Sequence, residues 1–319
     1  AAREAFPHFR RYLRAKARAI GVERLAFYDL FATVGGDEAS WTYSQAESFI
    51  LEHFGGYSDD LRDLATRAFD ERWIDAEPRA GKSDGAFCMW LRDDESRILT
   101  NFKPSFSGVR TLAHELGHAY HNRRLASRTA LQRPTPMILA ETASTFCETI
   151  VREAALATAT DAEQLVIVEN SLESACQVVV DITCRYTFEQ EVFERRGERE
   201  LSVSELNDIM LRAQLATYGD ALDPDLLHPY MWAAKPHYYG SSYYNFPYMF
   251  GLLFGLGLYA IYRADPAAFR ASYDDLLSST GMADAAQLSA RFGIDIGSPD
   301  FWRASLDVIR QDVDRFEAL

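Results

Sequence analysis

The sequence predicts a mainly α fold with one small β-sheet, organised as a single domain over residues 1–319. Apolar residues recur at helical spacing through most of the chain, and capping-box sequences mark helix starts. Only one stretch, about residues 85–102, has strand character. The chain contains no internal repeat and no change of composition that would mark a linker.

The helices are predicted from apolar periodicity and from their caps. Two pairs of residues have capping-box spacing: Thr42 with Gln45, and Ser202 with Glu205. We expect the helix after Thr42 to stop at Gly55–Gly56, and Ser58 to cap the next helix. The further predicted helices cover 107–126, 136–158, 161–196, 203–218, 243–263, 266–279, 284–292 and 299–317.

The strand signal is a β-hairpin that precedes the helix predicted at 107–126. The segments GAFCMWL (85–91) and SRILTNF (96–102) flank a polar turn at 92–95. The sheet is therefore expected beside that helix.

The bulk composition excludes several classes of partner. With a net charge of −14 and a pI of about 5.0, the chain would be repelled by nucleic acid and by anionic membranes. The four cysteines are scattered and form no CxxC pair, which indicates reduced thiols in a cytoplasmic protein. The apolar run 249–262 is too short for a bilayer, which needs about 20 residues, so it predicts a core helix.

A metal-binding motif lies in the helix predicted at 107–126. Residues 114–118 read HELGH, so His114 and His118 leave the same helical face and can bind one ion. Glu115 is placed to take a proton from water beside that ion. Chance would place an HExxH sequence in roughly one chain in a hundred of this size and composition. Such a chance motif would lack the predicted helix, the preceding hairpin and a third ligand candidate downstream.

Glu141 is the predicted third ligand. Its neighbours Ala140, Thr142, Ala143 and Ser144 are small, so a second helix could approach the first closely. An acidic side chain in this apolar setting needs a partner, and a cation is the simplest one. The alternative is a capping or solvent-facing glutamate.

Two further residues lie near the predicted ligands in sequence. Glu148 is seven residues after Glu141 and so lies on nearly the same helical face, where it could accept the outward ring N–H of a ligand histidine. The alternative is an ordinary surface ion pair. His121 follows His118 by one turn, but a fourth protein ligand would close the site to water. We therefore interpret His121 as structural or as a support for the site.

The motif and its surroundings resemble the thimet oligopeptidase family of zinc metallopeptidases, in its oligoendopeptidase F branch. The resemblance is carried by HELGHAYH (114–121) and AETASTFCE (140–148), and extends to 70–87, 98–102 and 299–319. It implies a zincin-like catalytic domain with one Zn²⁺ ion. In that family pattern the ligands would be His114, His118 and Glu141, and Glu115 would be the general base.

The resemblance also implies substrate-binding residues in the Tyr-rich segment KPHYYGSSYYNFPY (235–248). His237, Tyr244 and Tyr248 match the family pattern, and phenol and imidazole donors can bind the oxyanion of a scissile carbonyl. The alternative is an aromatic core cluster. Whether Tyr243 or Tyr244 faces the substrate stays open.

Members of the family are considerably longer than this chain. Their N-terminal helical portion forms the opposite wall of the substrate channel, and residues 1–319 resemble only the catalytic part. We therefore expect a fragment of a longer protein or a short variant, with a possible second chain completing the cleft.

These observations together predict a zinc-dependent oligoendopeptidase that hydrolyses internal bonds of short, unstructured peptides. We expect the peptide to pair with an edge strand at 97–102. A metallocarboxypeptidase or dipeptidase is an alternative, although the sequence singles out no cation for a terminal carboxylate. A non-catalytic peptide-binding or chaperone-like subunit is another, although its metal motif would be expected to decay.

Overall fold

The computed structural model describes residues 1–35, 40–83, 85–235 and 237–319, and confirms a mainly helical fold with a small sheet. Two predicted segments, 70–87 and 235–248, include Asp84 and Pro236, which lie outside the described residues. The helices and strands are α1 (Phe6–Ile20), α2 (Tyr43–Tyr57), α3 (Asp59–Asp70), β1 (Ile74–Asp75), β2 (Phe87–Arg92), β3 (Glu95–Leu99), α4 (Phe106–Leu125), α5 (Thr142–Thr158), α6 (Asp161–Cys176), α7 (Ile182–Arg196), α8 (Val203–Tyr218), α9 (His237–Gly240), α10 (Phe246–Ala264), α11 (Pro266–Ser278), α12 (Ala285–Arg291) and α13 (Pro299–Ala318).

The predicted helix caps are confirmed. Both capping boxes form, and the Ser58 hydroxyl accepts from the backbone N–H of Leu61 at the start of α3. The expected stop at Gly55–Gly56 is wrong, because α2 continues through both glycines to Tyr57. The next residue, Ser58, has an extended backbone because it is the N-cap of α3. It therefore ends α2.

The chain separates into two compact units. The first comprises Ala1–Gly36, Val168–Phe250 and Leu306–Leu319, and the second comprises Asp37–Ile167 and Gly251–Ser305. The expectation of one catalytic domain over 1–319 stays a prediction. Every helix in the described ranges is too short or too polar to span a lipid bilayer.

In the first unit, α7 and α8 enclose an apolar cluster. Its buried members are Cys184, Phe188, Ile209, Met210, Ala213 and Met231. A single π-helical turn, Gln177–Asp181, joins α6 to α7, where the sequence predicted one unbroken helix over 161–196. Such wide turns insert one residue into a helix and often occur at functional sites.

The sheet of the second unit has the strand order β1–β3–β2. Strand β3 runs antiparallel to β2, which confirms the hairpin, and parallel to the two-residue β1. The expectation that 97–102 is an edge strand is therefore wrong. The backbone N–H groups of Ile98, Thr100 and Phe102 donate to carbonyls of residues 73–76, so this side of the segment is occupied. The outer strand beside β3 is β2, most of whose residues are exposed.

The second unit has an aromatic core around Phe146 on α5. The Phe146 ring stacks on Phe269 at 5.2 Å and contacts Tyr57 and Tyr273 at 5.2 and 4.8 Å between ring centroids. Aromatic pairs at this spacing add to the stability that burial already provides. This core fixes α5, and with it the segment that carries Glu141 and Glu148.

Candidate metal centre

Helix α4 presents two histidines side by side. Its start is capped by Ser105, whose hydroxyl accepts from the Gly108 N–H. His114 and His118 are one turn apart, and their rings meet edge-on with centroids 4.9 Å apart. Both rings are partly exposed to solvent, with 27% and 22% of the side-chain surface accessible. A ligand can therefore reach them.

Glu141 meets both histidines. Its Oε2 atom lies 3.2 Å from His114 Nε2 and 3.4 Å from His118 Nε2, and accepts a hydrogen bond from the Ser144 hydroxyl at 2.7 Å. The residue was predicted inside a helix over 136–158, but α5 begins only at Thr142. Glu141 occupies the preceding cap position with φ −87° and ψ 8°. The carboxylate therefore approaches α4 from the turn before α5.

Two glycines allow this approach. A Cβ at Gly117 would lie 2.7 Å from both the carbonyl oxygen of Ala143 and the Cα of Ser144. A Cβ at Gly251 of α10 would lie 2.8 Å from the Cβ of Glu141. Since real Cβ atoms do not approach other atoms so closely, any larger residue would displace the segment that carries Glu141.

Glu148 and Arg110 hold His114 from its other side. His114 Nδ1 lies 3.1 Å from Glu148 Oε2, so Nδ1–H donates and Nε2 keeps its lone pair for a ligand. Arg110 pairs with Glu148 through Nε, at 3.0 Å, and through Nη2. Burial raises the pKa of Glu148, but Arg110 and His114 outweigh it and lower that pKa to about 2. Glu148 is therefore an anion that orients His114.

The residues fit a divalent cation. Ligand atoms of His114, His118 and Glu141 all lie within 4.8 Å of one another. Donor atoms at about 2.0–2.1 Å from a tetrahedral zinc ion are roughly 3.3–3.4 Å from one another. The measured 3.2 and 3.4 Å separations from the Glu141 oxygen to the two Nε2 atoms agree with that spacing. Two imidazoles and a carboxylate are also a ligand set that zinc enzymes use.

Electrostatics in the group favour positive charge at the ligand atoms. Burial lowers the pKa of His114, but its hydrogen bonds to the carboxylates of Glu141 and Glu148 outweigh burial and raise that pKa to about 10. Burial opposes ionisation of Glu141, yet both histidines hold its pKa well below the usual range. The same carboxylate charge that would retain a proton on His114 would stabilise a metal ion.

Glu115 is buried beside this group. Its Oε2 atom has no hydrogen-bond partner among the described residues, and burial raises the pKa of the carboxyl. Leaving a buried carboxylate oxygen unpaired is unfavourable, and such groups occur where a ligand or a reaction uses them. The position next to His114 is the one that the HExxH motif predicts for a general base.

His121 lies outside the three-residue group. It is buried, and its Nε2 atom lies 2.8 Å from the Thr280 hydroxyl. That hydroxyl donates to the carbonyl of Leu277, so it accepts from His121 Nε2–H. The contact ties α4 to the end of α11.

The residues of the Tyr-rich segment come together in the first unit. The rings of His237 and Tyr244 stack with centroids 4.6 Å apart, and the hydroxyls of Tyr244 and Tyr248 are 3.2 Å apart. Tyr243 turns away with φ +52°, and its ring packs on Tyr186 and Phe193 of α7. The structure therefore groups His237 with Tyr244 rather than with Tyr243.

Two residues that contact the predicted ligands and their supports, Arg110 and Ser144, are not among the predicted site residues. Arg110 precedes His114 by one helical turn, and a basic residue at that spacing from a predicted ligand was the available signal. Ser144 was noted only for its size, although its hydroxyl bonds the ligand oxygen of Glu141. A hydroxyl three residues after a buried acid is too common a pattern to single out.

Comparison with known proteins identifies relatives that match most of this chain. The chain is 25% identical over 316 residues to a Lactococcus lactis subsp. lactis protein named oligoendopeptidase F homolog, covering 98% of this chain and 52% of that one. It is 26% identical over 319 residues to the group B oligopeptidase PepB of Streptococcus agalactiae, again covering 98% and 52%. The chain thus spans about half the length of the relatives it matches.

Solved structures share the fold. A crystal structure from Chlamydophila abortus superposes with a TM-score of 0.86 at 20% identity, covering 99% of this chain and 54% of that one. The oligoendopeptidase-F from Enterococcus faecium gives 0.70 at 21% identity, covering 99% and 50%. The profile of Peptidase family M3 matches residues 2–308. This chain therefore belongs to peptidase family M3.

Proposed function

We propose that this chain is the catalytic part of a zinc-dependent oligoendopeptidase, which hydrolyses internal bonds of short, unstructured peptides. The observation that carries the proposal is the meeting of His114, His118 and Glu141 beside Glu115, whose Oε2 atom has no hydrogen-bond partner among the described residues. Membership of family M3, and relatives named oligoendopeptidases and oligopeptidases, support the same conclusion.

His114, His118 and Glu141 would hold the zinc ion, and Glu148 with Arg110 would keep His114 in the ligating tautomer. A zinc ion bound there supplies Lewis acidity, which acidifies a water molecule and polarises the scissile carbonyl. The Glu115 carboxylate takes a proton from the attacking water as its oxygen bonds to the carbonyl carbon. Glu115 then gives that proton to the leaving nitrogen as the C–N bond breaks, which yields a carboxylic acid and an amine; transfer of the acid's proton to the amine leaves a carboxylate and an ammonium group.

The substrate would be held by hydrogen bonds. We assign His237, Tyr244 and Tyr248 to the peptide, because their polar groups gather in one place: the tyrosine hydroxyls suit a carbonyl or its oxyanion, and the imidazole suits a polar group of the peptide backbone. In the second unit, β2 is the exposed outer strand, so an extended peptide would pair with β2 rather than with 97–102. The proposal includes further polypeptide, in the same or a second chain, that helps to enclose the peptide.

The decisive experiment is hydrolysis of a pool of short peptides by the purified chain, with products identified by mass. Peptides with acetylated N-termini and amidated C-termini test for internal cleavage, because a carboxypeptidase or dipeptidase requires a free terminus. We expect cleavage of blocked peptides that a chelator abolishes and zinc restores, with Glu115→Gln inactive. A folded, zinc-loaded chain that leaves every peptide intact would mean that cleavage requires the further polypeptide, or that this chain is a binding subunit.

A further inference from the structure

We propose that Arg185 and Asn245 are positioning residues that fix His237 as its Nδ1–H tautomer and present its Nε2 atom to the substrate. The inference rests on the substrate role proposed above for His237. All the residues involved belong to the first unit, and the tautomer of His237 follows from which of their atoms can donate hydrogen bonds.

Asn245 stands between the arginine and the histidine. Its Oδ1 atom accepts from Arg185 Nη1 at 3.0 Å and lies 3.2 Å from His237 Nδ1. Asn245 and Arg185 are buried, with 3% and 6% of their surface exposed. Two hydrogen bonds therefore converge on one amide oxygen that water scarcely reaches.

The arginine decides the orientation of the amide. A guanidinium group can only donate, so the atom of Asn245 that faces Arg185 must be the oxygen. If the amide were reversed, its NH₂ group would face the guanidinium as a second donor. Asn245 Nδ2 has no hydrogen-bond partner among the described residues, so the orientation of the amide is not set by a hydrogen bond from its NH₂ group. Since Oδ1 faces His237 as well, Nδ1 of that ring must carry the hydrogen.

Arg185 is itself held in place by an ion pair with Asp181. Its Nη2 atom pairs with Oδ2 of Asp181, and both side chains are buried. Asp181 is the last residue of the π-helical turn between α6 and α7. A buried ion pair at such a turn has few alternative positions, so Arg185 offers Asn245 a donor in a fixed place.

The plane of the His237 ring is fixed separately. Tyr244 stacks on it with an interplanar angle of 26°, and the Tyr243 N–H donates to Glu189 Oε1 at 3.0 Å. Because Tyr243 has a positive φ, its ring points away from His237 and packs on Tyr186, while the Tyr244 ring stacks on His237. The imidazole is therefore held by one hydrogen bond in its plane and one stacked ring.

This arrangement restricts what His237 can do. With Nδ1–H bonded to Asn245, the neutral ring offers only the Nε2 lone pair, which accepts from a donor such as a peptide N–H. Donation to a carbonyl oxygen or oxyanion then requires the imidazolium form. In its neutral form, His237 therefore contacts the substrate through Nε2, as a hydrogen-bond acceptor.

The test is the ¹⁵N chemical shift of both ring nitrogens of His237, measured through long-range proton–nitrogen correlations in the labelled, zinc-loaded chain. His237→Gln identifies its signals among the seven histidines. We expect a protonated Nδ1 and an unprotonated Nε2 in the neutral ring. Asn245→Ala should shift the ring toward Nε2–H and lower kcat/KM about 10- to 100-fold with unchanged metal content.

Two variants separate positioning from folding. Asn245→Asp keeps an acceptor for both partners, so it should retain the Nδ1–H tautomer. Asn207→Ala removes an amide oxygen that accepts from Trp232 Nε1 in the same unit, and should leave His237 unchanged. An Nε2–H ring in the wild type, or an unchanged tautomer in a folded Asn245→Ala variant, overturns the positioning inference. Full activity of His237→Gln instead overturns the substrate role on which it rests.

Discussion

Ala143 leaves no space for a side chain at Gly117, because a Cβ there would lie 2.7 Å from the Ala143 carbonyl oxygen. We therefore predict that Gly117→Ala forces α4 and α5 apart. The overpacking should lower the free energy of unfolding by about 1–3 kcal/mol and weaken metal binding, because Glu141 moves with its segment. Urea denaturation and metal titration measure the two effects.

A matched control is Gly56→Ala in α2, where a Cβ would meet nothing within 4 Å. That substitution should leave metal binding unchanged and stabilise the helix by up to about 1 kcal/mol. Equal metal affinity in Gly117→Ala and the wild type would show that the contact does not set the ligand geometry.

Glu141→Ala removes the carboxylate that meets both histidines. We expect the variant to fold and to lose zinc on dialysis, because two imidazoles alone form an incomplete site. Metal content by mass spectrometry, compared with the wild type in the same buffer, checks the prediction. Full occupancy would remove Glu141 from the ligand set.

Glu115→Gln changes the buried carboxylate whose Oε2 atom has no hydrogen-bond partner in the part of the chain that the structure describes. The amide cannot take a proton from water, so turnover should fall by a factor of about 10² to 10⁴ or more while zinc content stays at the wild-type level. Peptide hydrolysis and metal analysis on one preparation separate the two properties. A variant that keeps its rate would exclude Glu115 as the general base.

Arg110→Gln removes the cation that pairs with Glu148. Glu148 then loses the partner that holds it against His114, and we expect zinc affinity to fall roughly 10- to 100-fold, as for other residues that support ligand histidines. Competition with a chromophoric chelator measures the change. Arg123→Gln, which removes a pair with Asp60 at the end of α4, serves as the control and should have wild-type affinity.

The stability of the chain should depend on pH through His121. Burial lowers the pKa of His121 to about 4, with His118 lowering it further and the Leu277 backbone and Glu141 opposing. Between pH 6.5, the usual value, and pH 4, the unfolded chain binds a proton that the folded chain excludes. Stability from this residue is therefore unaffected above pH 6.5 and falls as the pH drops.

At pH 5 this difference amounts to roughly 2 kcal/mol of unfolding free energy. Urea denaturation at pH 7.5 and pH 5, with chelator present throughout, compares the wild type with His121→Gln, which can still donate to Thr280. The variant should lose less stability between the two pH values. Equal losses in both proteins would place the pH dependence elsewhere.

The parts of the fold predicted from sequence are those that depend on neighbours in the chain. The capping boxes at Thr42 and Ser202 act within one helical turn, so their residues suffice to locate the helix starts. The i, i+4 spacing of His114 and His118 likewise places both rings on one face without reference to the rest of the molecule.

Features that depend on distant packing were not predicted. Strand β1 has two residues, too few for any periodic signal, yet its pairing turns 97–102 from an edge into an inner strand. Glu141 was assigned to a helix because its neighbours favour one, but α5 begins one residue later. The π-helical turn before α7 leaves no pattern in the sequence, and Arg185 and Asn245 are far apart in the chain and meet only in the folded protein.

The histidines lie on α4 and Glu141 lies before α5, so an ion bound by all three adds a link between segments that already pack together at Gly117. Such a ligand acts on folding by mass action, since the unfolded chain does not hold the three donors together. Each tenfold rise of free ion above the dissociation constant then adds about 1.4 kcal/mol to the stability. If the proposed ion binds there, the melting temperature would report the supply of metal, because stability falls with the free ion concentration while the site is still saturated.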